Sequence, residues 1–78
     1  IASDIFSICR ITAGDLYLGT TIGLFRYNPD TERFKRVPEL GWTFVYYIKE
    51  DKQGNLWLAT YADGVYKKNV RWLGTFRT

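Results

Sequence analysis

The sequence predicts an all-β fold made of two copies of one four-stranded unit. Residues 54–60, GNLWLAT, nearly repeat residues 14–20, GDLYLGT, at an offset of 40 residues. Each copy follows an extended apolar run and a turn, and each precedes a second glycine and an aromatic residue. No stretch has the apolar spacing of a helix. Repeats of about this length are typical of propeller blades, so we predict two adjacent four-stranded antiparallel blades of a β-propeller, a fragment of a larger propeller.

Eight short strands are predicted, in two groups of four. β-branched and aromatic residues favour the extended state, and glycine, proline, asparagine and aspartate separate the runs. The predicted strands are 4–11, 16–20, 24–28, 33–37, 43–50, 56–60, 65–68 and 72–77. Residues 39–42 are predicted to be a link, so the two blade-like units are residues 1–38 and 39–78. Strand 16–20 is apolar on both sides, which indicates that both of its faces are covered.

Turn residues punctuate both copies. Asn28 and Pro29 form a strong turn, because Pro fixes φ and Asn bonds to the nearby backbone. Residues 51–54 have Asp first and Gly last, as a type I turn prefers. Three aspartates stand beside glycine turns, and we expect each carboxylate to accept hydrogen bonds from backbone N–H groups. They are Asp15, Asp51 and Asp63.

Size and composition predict that the chain depends on neighbouring repeat units to cover its apolar faces. It has 78 residues, of which 46% are hydrophobic and 18% aromatic. A chain of this length buries only about 60% of its unfolded surface, and a single repeat unit depends on flanking units to cover its faces. We therefore expect a piece of a longer protein, the parent chain, whose remaining blades are its partners. Alone, it is expected to self-associate, with about three or four copies completing a ring, or to aggregate through its open edges.

Several function classes are disfavoured. There is no His, and Glu50 and Asp51 are adjacent and project to opposite sides of an extended chain, so no enzymatic activity and no cofactor are expected. Cys9 is the single cysteine, which excludes an intrachain disulfide and indicates a small buried hydrophobe. The net charge of +3 is modest and its basic residues are mixed with acidic ones, so no nucleic-acid partner is expected.

The most specific motif is Asp-x-x-Gly-Asn-Leu-Trp-Leu-x-Thr at residues 51–60. It resembles the two-component regulator propeller repeat, found in extracytoplasmic sensor regions of bacterial hybrid two-component systems, especially in bacteria that degrade polysaccharides. The resemblance covers nearly the whole chain. Tyr17 stands where that family favours Trp, and Ala59 stands where it usually has Gly. The resemblance implies a periplasmic or otherwise extracytoplasmic location, with membrane attachment only through the parent chain, and a role in passing a carbohydrate-derived signal to a kinase.

Aromatic residues are the candidate ligand-binding groups. Trp42 and Tyr61 fall in loops, where propellers present residues to ligands, and we predict that they bind an oligosaccharide. A second set is predicted to pack between the blades. This set is Tyr17, Phe25, Trp57 and Tyr66. Two alternatives stay open: a lectin-like or protein-interaction propeller without a kinase, and an oligonucleotide-binding barrel, which would show steeply salt-dependent affinity for single strands.

Overall fold

The computed structural model describes residues 4–69, which form two separate antiparallel sheets. Sheet A has the order β1-β2-β3-β4 and sheet B the order β5-β6-β7. Sheet A contains β1 (Ile5–Arg10), β2 (Leu16–Thr20), β3 (Gly23–Asn28) and β4 (Arg33–Arg36). Sheet B contains β5 (Val45–Glu50), β6 (Asn55–Thr60) and β7 (Val65–Asn69). The all-β prediction is confirmed, and the sheets have the form of propeller blades, whereas the predicted strand 72–77 lies outside the described residues.

The two sheets share one register, which shows that the sequence repeat is also a structural repeat. Ile8 pairs with Leu18 in sheet A, and Ile48 pairs with Leu58 in sheet B. The register shifts at the start of each first strand, after Ile5 and after Val45. Such a bulge re-aims the side chains of a strand locally, and it occurs at the same place in both copies.

The link between the sheets is more ordered than the sequence predicts. Residues Pro38–Leu40 form one 3-10 turn, with Pro38 at its start. Proline is well suited to that position because its fixed φ fits a helical turn and its missing N–H is not needed there. Leu40 is buried at 6% exposure and joins the core. The predicted division into units 1–38 and 39–78 stays a prediction, because both ends of the chain lie outside the described residues.

The hydrophobic core lies between the two sheets. Side chains at every second position of a strand share one face, so Tyr17 and Leu24 of sheet A face Leu56 and Leu58 of sheet B. All four side chains are fully buried. The complete cluster is Ile11, Tyr17, Leu24, Val37, Leu40, Val45, Ile48, Leu56 and Leu58, with Cys9 and Tyr66 packed against it.

Gly19 allows the sheets to approach closely. A Cβ built at this position would lie 2.6 Å from the Val45 carbonyl oxygen and 3.1 Å from its Cγ1. Because a real Cβ does not approach a backbone oxygen so closely, any side chain here would push β2 away from β5.

Polar contacts also join the sheets. Glu50 Oε1 accepts hydrogen bonds from the Thr12 backbone N–H at 2.8 Å and from the Thr12 hydroxyl at 3.0 Å.

Each sheet has a second face, which is called its outer face here, and the two outer faces differ. On sheet A, Leu18 is only 4% exposed, so β2 is covered on both sides as predicted. On sheet B, Trp57 is 38% exposed and Val65 is 65% exposed. The ring of Trp57, predicted to pack between the blades, lies on this outer face, which none of the described sheets covers, so its packing stays a prediction. Phe25 is buried, but beneath Arg36 on the outer face of sheet A rather than between the sheets.

Candidate ligand-binding surface

The turn after β5 is built around the carboxylate of Asp51. One oxygen accepts backbone N–H bonds from Gln53 and Asn55, both at 2.9 Å. The other oxygen accepts the indole N–H of Trp57 at 2.8 Å and the Asn55 amide at 3.4 Å. These hydrogen bonds, that from the Asn55 backbone first and that from Trp57 second, lower the pKa of Asp51 to about 2. The arrangement explains why the motif needs Asp, Asn and Trp at this spacing.

The other two turn aspartates behave differently from the prediction. Asp63 accepts the Thr43 hydroxyl at 3.3 Å, and this bond joins two loops and involves no backbone N–H. No hydrogen bond to the Asp15 carboxylate is found among the described residues. In the loops after β2 and β6, it is a threonine hydroxyl that accepts the backbone N–H hydrogen bond. Thr20 Oγ1 accepts the Ile22 N–H at 3.1 Å, and Thr60 Oγ1 accepts the Asp63 N–H at 3.0 Å.

The first copy lacks the Asp–Trp pair and replaces it with an apolar one. Ile11 and Tyr17 occupy the positions of Asp51 and Trp57, and both are buried between the sheets. The Tyr17 hydroxyl is buried, and none of residues 4–69 forms a hydrogen bond with it. Its burial, and to a lesser extent the charge of Asp15, raises the pKa of Tyr17 to about 12. The polar pair Asp51–Trp57 thus lies on the outer face of sheet B, which water reaches. The apolar pair Ile11–Tyr17 lies between the two sheets.

Asp51→Asn is expected to flatten the acid branch of the stability curve. Because folding lowers the pKa of Asp51, its carboxylate stabilises the fold above its unfolded-state pKa of about 4, and this contribution is lost as pH falls from about 4 towards 2. Urea unfolding followed by tryptophan fluorescence at several pH values in that range measures the effect.

Asp63→Asn is the matched control for this experiment, since it removes the same charge but only the single bond to Thr43. Its unfolding free energy should fall with acid as steeply as that of the wild-type chain. An Asp51→Asn chain whose stability also falls as steeply as the wild type would show that the hydrogen bonds to Asp51 do not couple to folding.

Trp42, one of the two predicted ligand-binding residues, lies against sheet A. Its side chain is 68% exposed. The guanidinium carbon of Arg36 is 3.4 Å from the centre of the Trp42 ring and 5.2 Å from that of Phe25. Arg36 is itself held by a hydrogen bond from Nε to the Ile22 carbonyl at 3.1 Å. One face of the indole is therefore occupied by a fixed cation, which holds the ring in place.

Tyr61, the second predicted residue, belongs to an exposed aromatic cluster. Its ring stacks on Phe44 with centroids 5.6 Å apart, and its side chain is 78% exposed. Phe44 also contacts Phe6 at 4.9 Å and Tyr46 at 6.3 Å. The Tyr61 N–H donates to the Phe44 carbonyl at 3.0 Å, so the backbone fixes this stack. Exposed aromatic faces held in this way can stack on the apolar faces of a ligand.

The two predicted ligand-binding residues, Trp42 and Tyr61, lie in separate side-chain clusters. Within residues 4–69, Trp42 contacts Arg36 and Tyr61 contacts Phe44, and no ring contact links Trp42 to Tyr61. The predicted binding role of both stays a prediction. The sequence reasoning missed Phe6 and Phe44. A signal was present, since Phe44 and Tyr46 are two residues apart on an extended segment and so share a side.

The described part of the chain has neither a metal-binding cluster nor a membrane-spanning helix. Among residues 4–69, no group of three or more His, Cys, Asp or Glu side chains could hold a metal ion. None of the described backbone forms a helix with the length and apolar character of a membrane span. Cys9, predicted to be buried, is half-buried and packs against the core, and this burial raises the pKa of its thiol above the usual value.

Two packed antiparallel sheets with one shared turn motif place the chain in the class of β-propeller repeat proteins. The family model of the two component regulator propeller matches residues 39–62. The suspected resemblance is therefore confirmed over this segment, which is a repeat of that family. Comparison with curated proteins and with solved structures returned no significant match.

Proposed function

We propose that this chain is part of the extracytoplasmic ligand-sensing propeller of a two-component signalling receptor, anchored to the membrane through its parent chain. Its role is to form a rigid scaffold for a carbohydrate-derived signal, without catalysis, and to relay binding to a kinase. The observation that supports it most is the family match at residues 39–62, a repeat of two component regulator propellers.

Exposed aromatic side chains on loops support the ligand part of the proposal. Trp42 and Tyr61 are 68% and 78% exposed, and each is held in place by a neighbour, Arg36 or Phe44. Rigid aromatic rings bind at a low cost in conformational entropy. Sugar rings present apolar C–H faces that suit such surfaces, whereas the described residues offer no metal site for a charged ligand.

Replacing both Trp42 and Tyr61 with Ala is expected to abolish oligosaccharide binding in the intact sensor. The loss should exceed about tenfold in the dissociation constant, since two stacking contacts of about 1 kcal/mol each are removed. Isothermal titration calorimetry with oligosaccharides from enzymatic polysaccharide digests measures the change.

Tyr47→Ala is the control, because Tyr47 is also exposed, at 51%, but lies on the outer face of sheet B. It should leave binding unchanged. Unaltered affinity in the Trp42→Ala, Tyr61→Ala chain would remove these residues from the ligand site. A parent reading frame without a kinase would instead favour a lectin-like or protein-interaction propeller.

A further inference from the structure

The contact between the two sheets uses two different faces, and the repeat places a copy of each face on the outside. The face of sheet B that meets sheet A carries Ile48, Leu58 and Tyr66. Their equivalents in sheet A, matched by pairing register, are Ile8, Leu18 and Phe25, and these three share its outer face. Sheet A therefore presents outward the kind of face that sheet B uses for packing inward.

This outer face of sheet A is apolar and only partly covered. Ile8 is 65% exposed, and Ile5, on the same face of the same strand, is 49% exposed. Large exposed apolar residues grouped on one strand indicate an interaction site when a packing geometry for them is available. That geometry is already seen between the two sheets of this chain.

One end of this face carries the cation Arg10, with Asp15 beside it, while Arg36 lies farther away on β4 against Phe25. At the contact between the sheets, Glu50 accepts two hydrogen bonds from Thr12. The residue equivalent to Glu50 on sheet A is Arg10, since Arg10 pairs with Leu16 as Glu50 pairs with Leu56. A guanidinium has only donors. The group that best complements Arg10 from a docked unit is therefore an acceptor, and a carboxylate makes the strongest such pair.

A depression beside Arg10 has room for the turn of a docked unit. Its volume is about 310 Å³, and it is lined by Arg10, Gly14, Asp15, Leu16, Tyr27 and Pro29. One guanidinium nitrogen of Arg10 donates to the Gly14 carbonyl at 3.1 Å, which keeps the side chain at this end of the face. Among residues 4–69, no further hydrogen bond of this guanidinium is seen, and Asp15 is the acidic residue that lines the same depression.

A second copy of this chain is poorly matched to the same face. Lys52 occupies the position of Thr12, so an identical copy would bring an ammonium towards Arg10. Ala59 occupies the position of Gly19, where a Cβ would lie 2.6 Å from the neighbouring carbonyl oxygen. Like charges and a blocked close approach both oppose head-to-tail pairing of identical chains.

We propose that the outer face of sheet A binds a propeller-type blade whose first turn carries Asp or Glu opposite Arg10, and that Arg10 selects this partner over an identical copy. The exposed apolar side chains of this face, Ile5 and Ile8, supply the area of contact, and the positive charge of Arg10 determines which blade binds. This inference concerns blade pairing and is independent of the sugar ligand.

The test uses a variant of the chain that is designed to bind a second copy of itself. In the full 78-residue chain, Lys52→Glu together with Ala59→Gly introduces the missing carboxylate and opens the close approach. Sedimentation equilibrium should show association tightened by about tenfold or more over wild type, and weakened again by salt. Adding Arg10→Glu to this variant should return association to the wild-type level.

Lys35→Glu is the matched control, since it makes the same change of charge on the edge strand β4. It should leave association as in the wild type. Circular dichroism checks folding. If the double variant unfolds, Lys52→Glu alone, which removes one of the two obstacles, should still tighten association relative to Lys35→Glu, by less than the roughly tenfold expected of the double variant. Association no tighter than in the control, tightening that survives Arg10→Glu, or equally tight association of the wild type would each overturn the proposal.

Discussion

Replacing Leu58 with Ala is expected to lower the free energy of unfolding by about 3 kcal/mol, within a usual range of about 2–5 kcal/mol. Leu58 is fully buried and belongs to the core cluster between the sheets. Its truncation removes apolar contacts and leaves a cavity that two hydrogen-bonded sheets cannot readily collapse. A domain of this size is stable by only roughly 8 kcal/mol, so the loss is a large share of the total.

Chemical denaturation followed by tryptophan fluorescence measures this effect. Val65→Ala is the matched control, because Val65 is 65% exposed on the outer face of sheet B. The control should lose only about 0.5 kcal/mol. Equal losses in the two variants would show that Leu58 is no more buried in solution than Val65, and would contradict the packing described here.

Gly19→Ala is expected to destabilise the chain by about 1–3 kcal/mol, as overpacking of a close contact does. The new methyl group would lie 2.6 Å from the Val45 carbonyl oxygen, and the obstacle is backbone, which cannot turn aside as a side chain can. Thermal unfolding monitored by circular dichroism measures the change.

The reverse substitution in the second copy is the control for Gly19. Ala59 occupies the equivalent position on the outer face of sheet B, where no described sheet lies against it. Ala59→Gly should cost only about 0.5–1 kcal/mol, through backbone entropy. A Gly19→Ala chain that is as stable as the wild type would mean that β2 and β5 are farther apart than described.

Much of the fold follows from local patterns in the sequence. Alternating apolar residues and strong turns locate the strands, since Pro38 ends β4 and Asn28 Oδ1 accepts the Asp30 N–H as a turn residue should. The repeat predicts the shared register, because equal patterns place equal residues on equal faces. These features depend on near neighbours in the chain, and such neighbours can be read from sequence.

The sequence pattern stops being informative where tertiary context decides the burial of a residue. Tyr17 and Trp57 occupy equivalent positions, yet one is fully buried and the other is 38% exposed. The repeat pattern cannot tell them apart, because their difference lies in whether another sheet covers them. The candidate site shows the same limit. The sequence places Trp42 and Tyr61 in loops, but the contacts of their rings with Arg36 and Phe44 are set by tertiary packing.

The face-to-face packing of two repeat units is the claim on which the rest depends, and its most direct test is an NMR distance between Gly19 and Val45. We predict a strong nuclear Overhauser effect between the Gly19 α-protons and the Val45 γ-methyl groups, because a Cβ at Gly19 would lie 3.1 Å from Val45 Cγ1. Absence of this signal, in a sample where the cross-strand signals between Gly19 and Leu24 are present, would contradict the account.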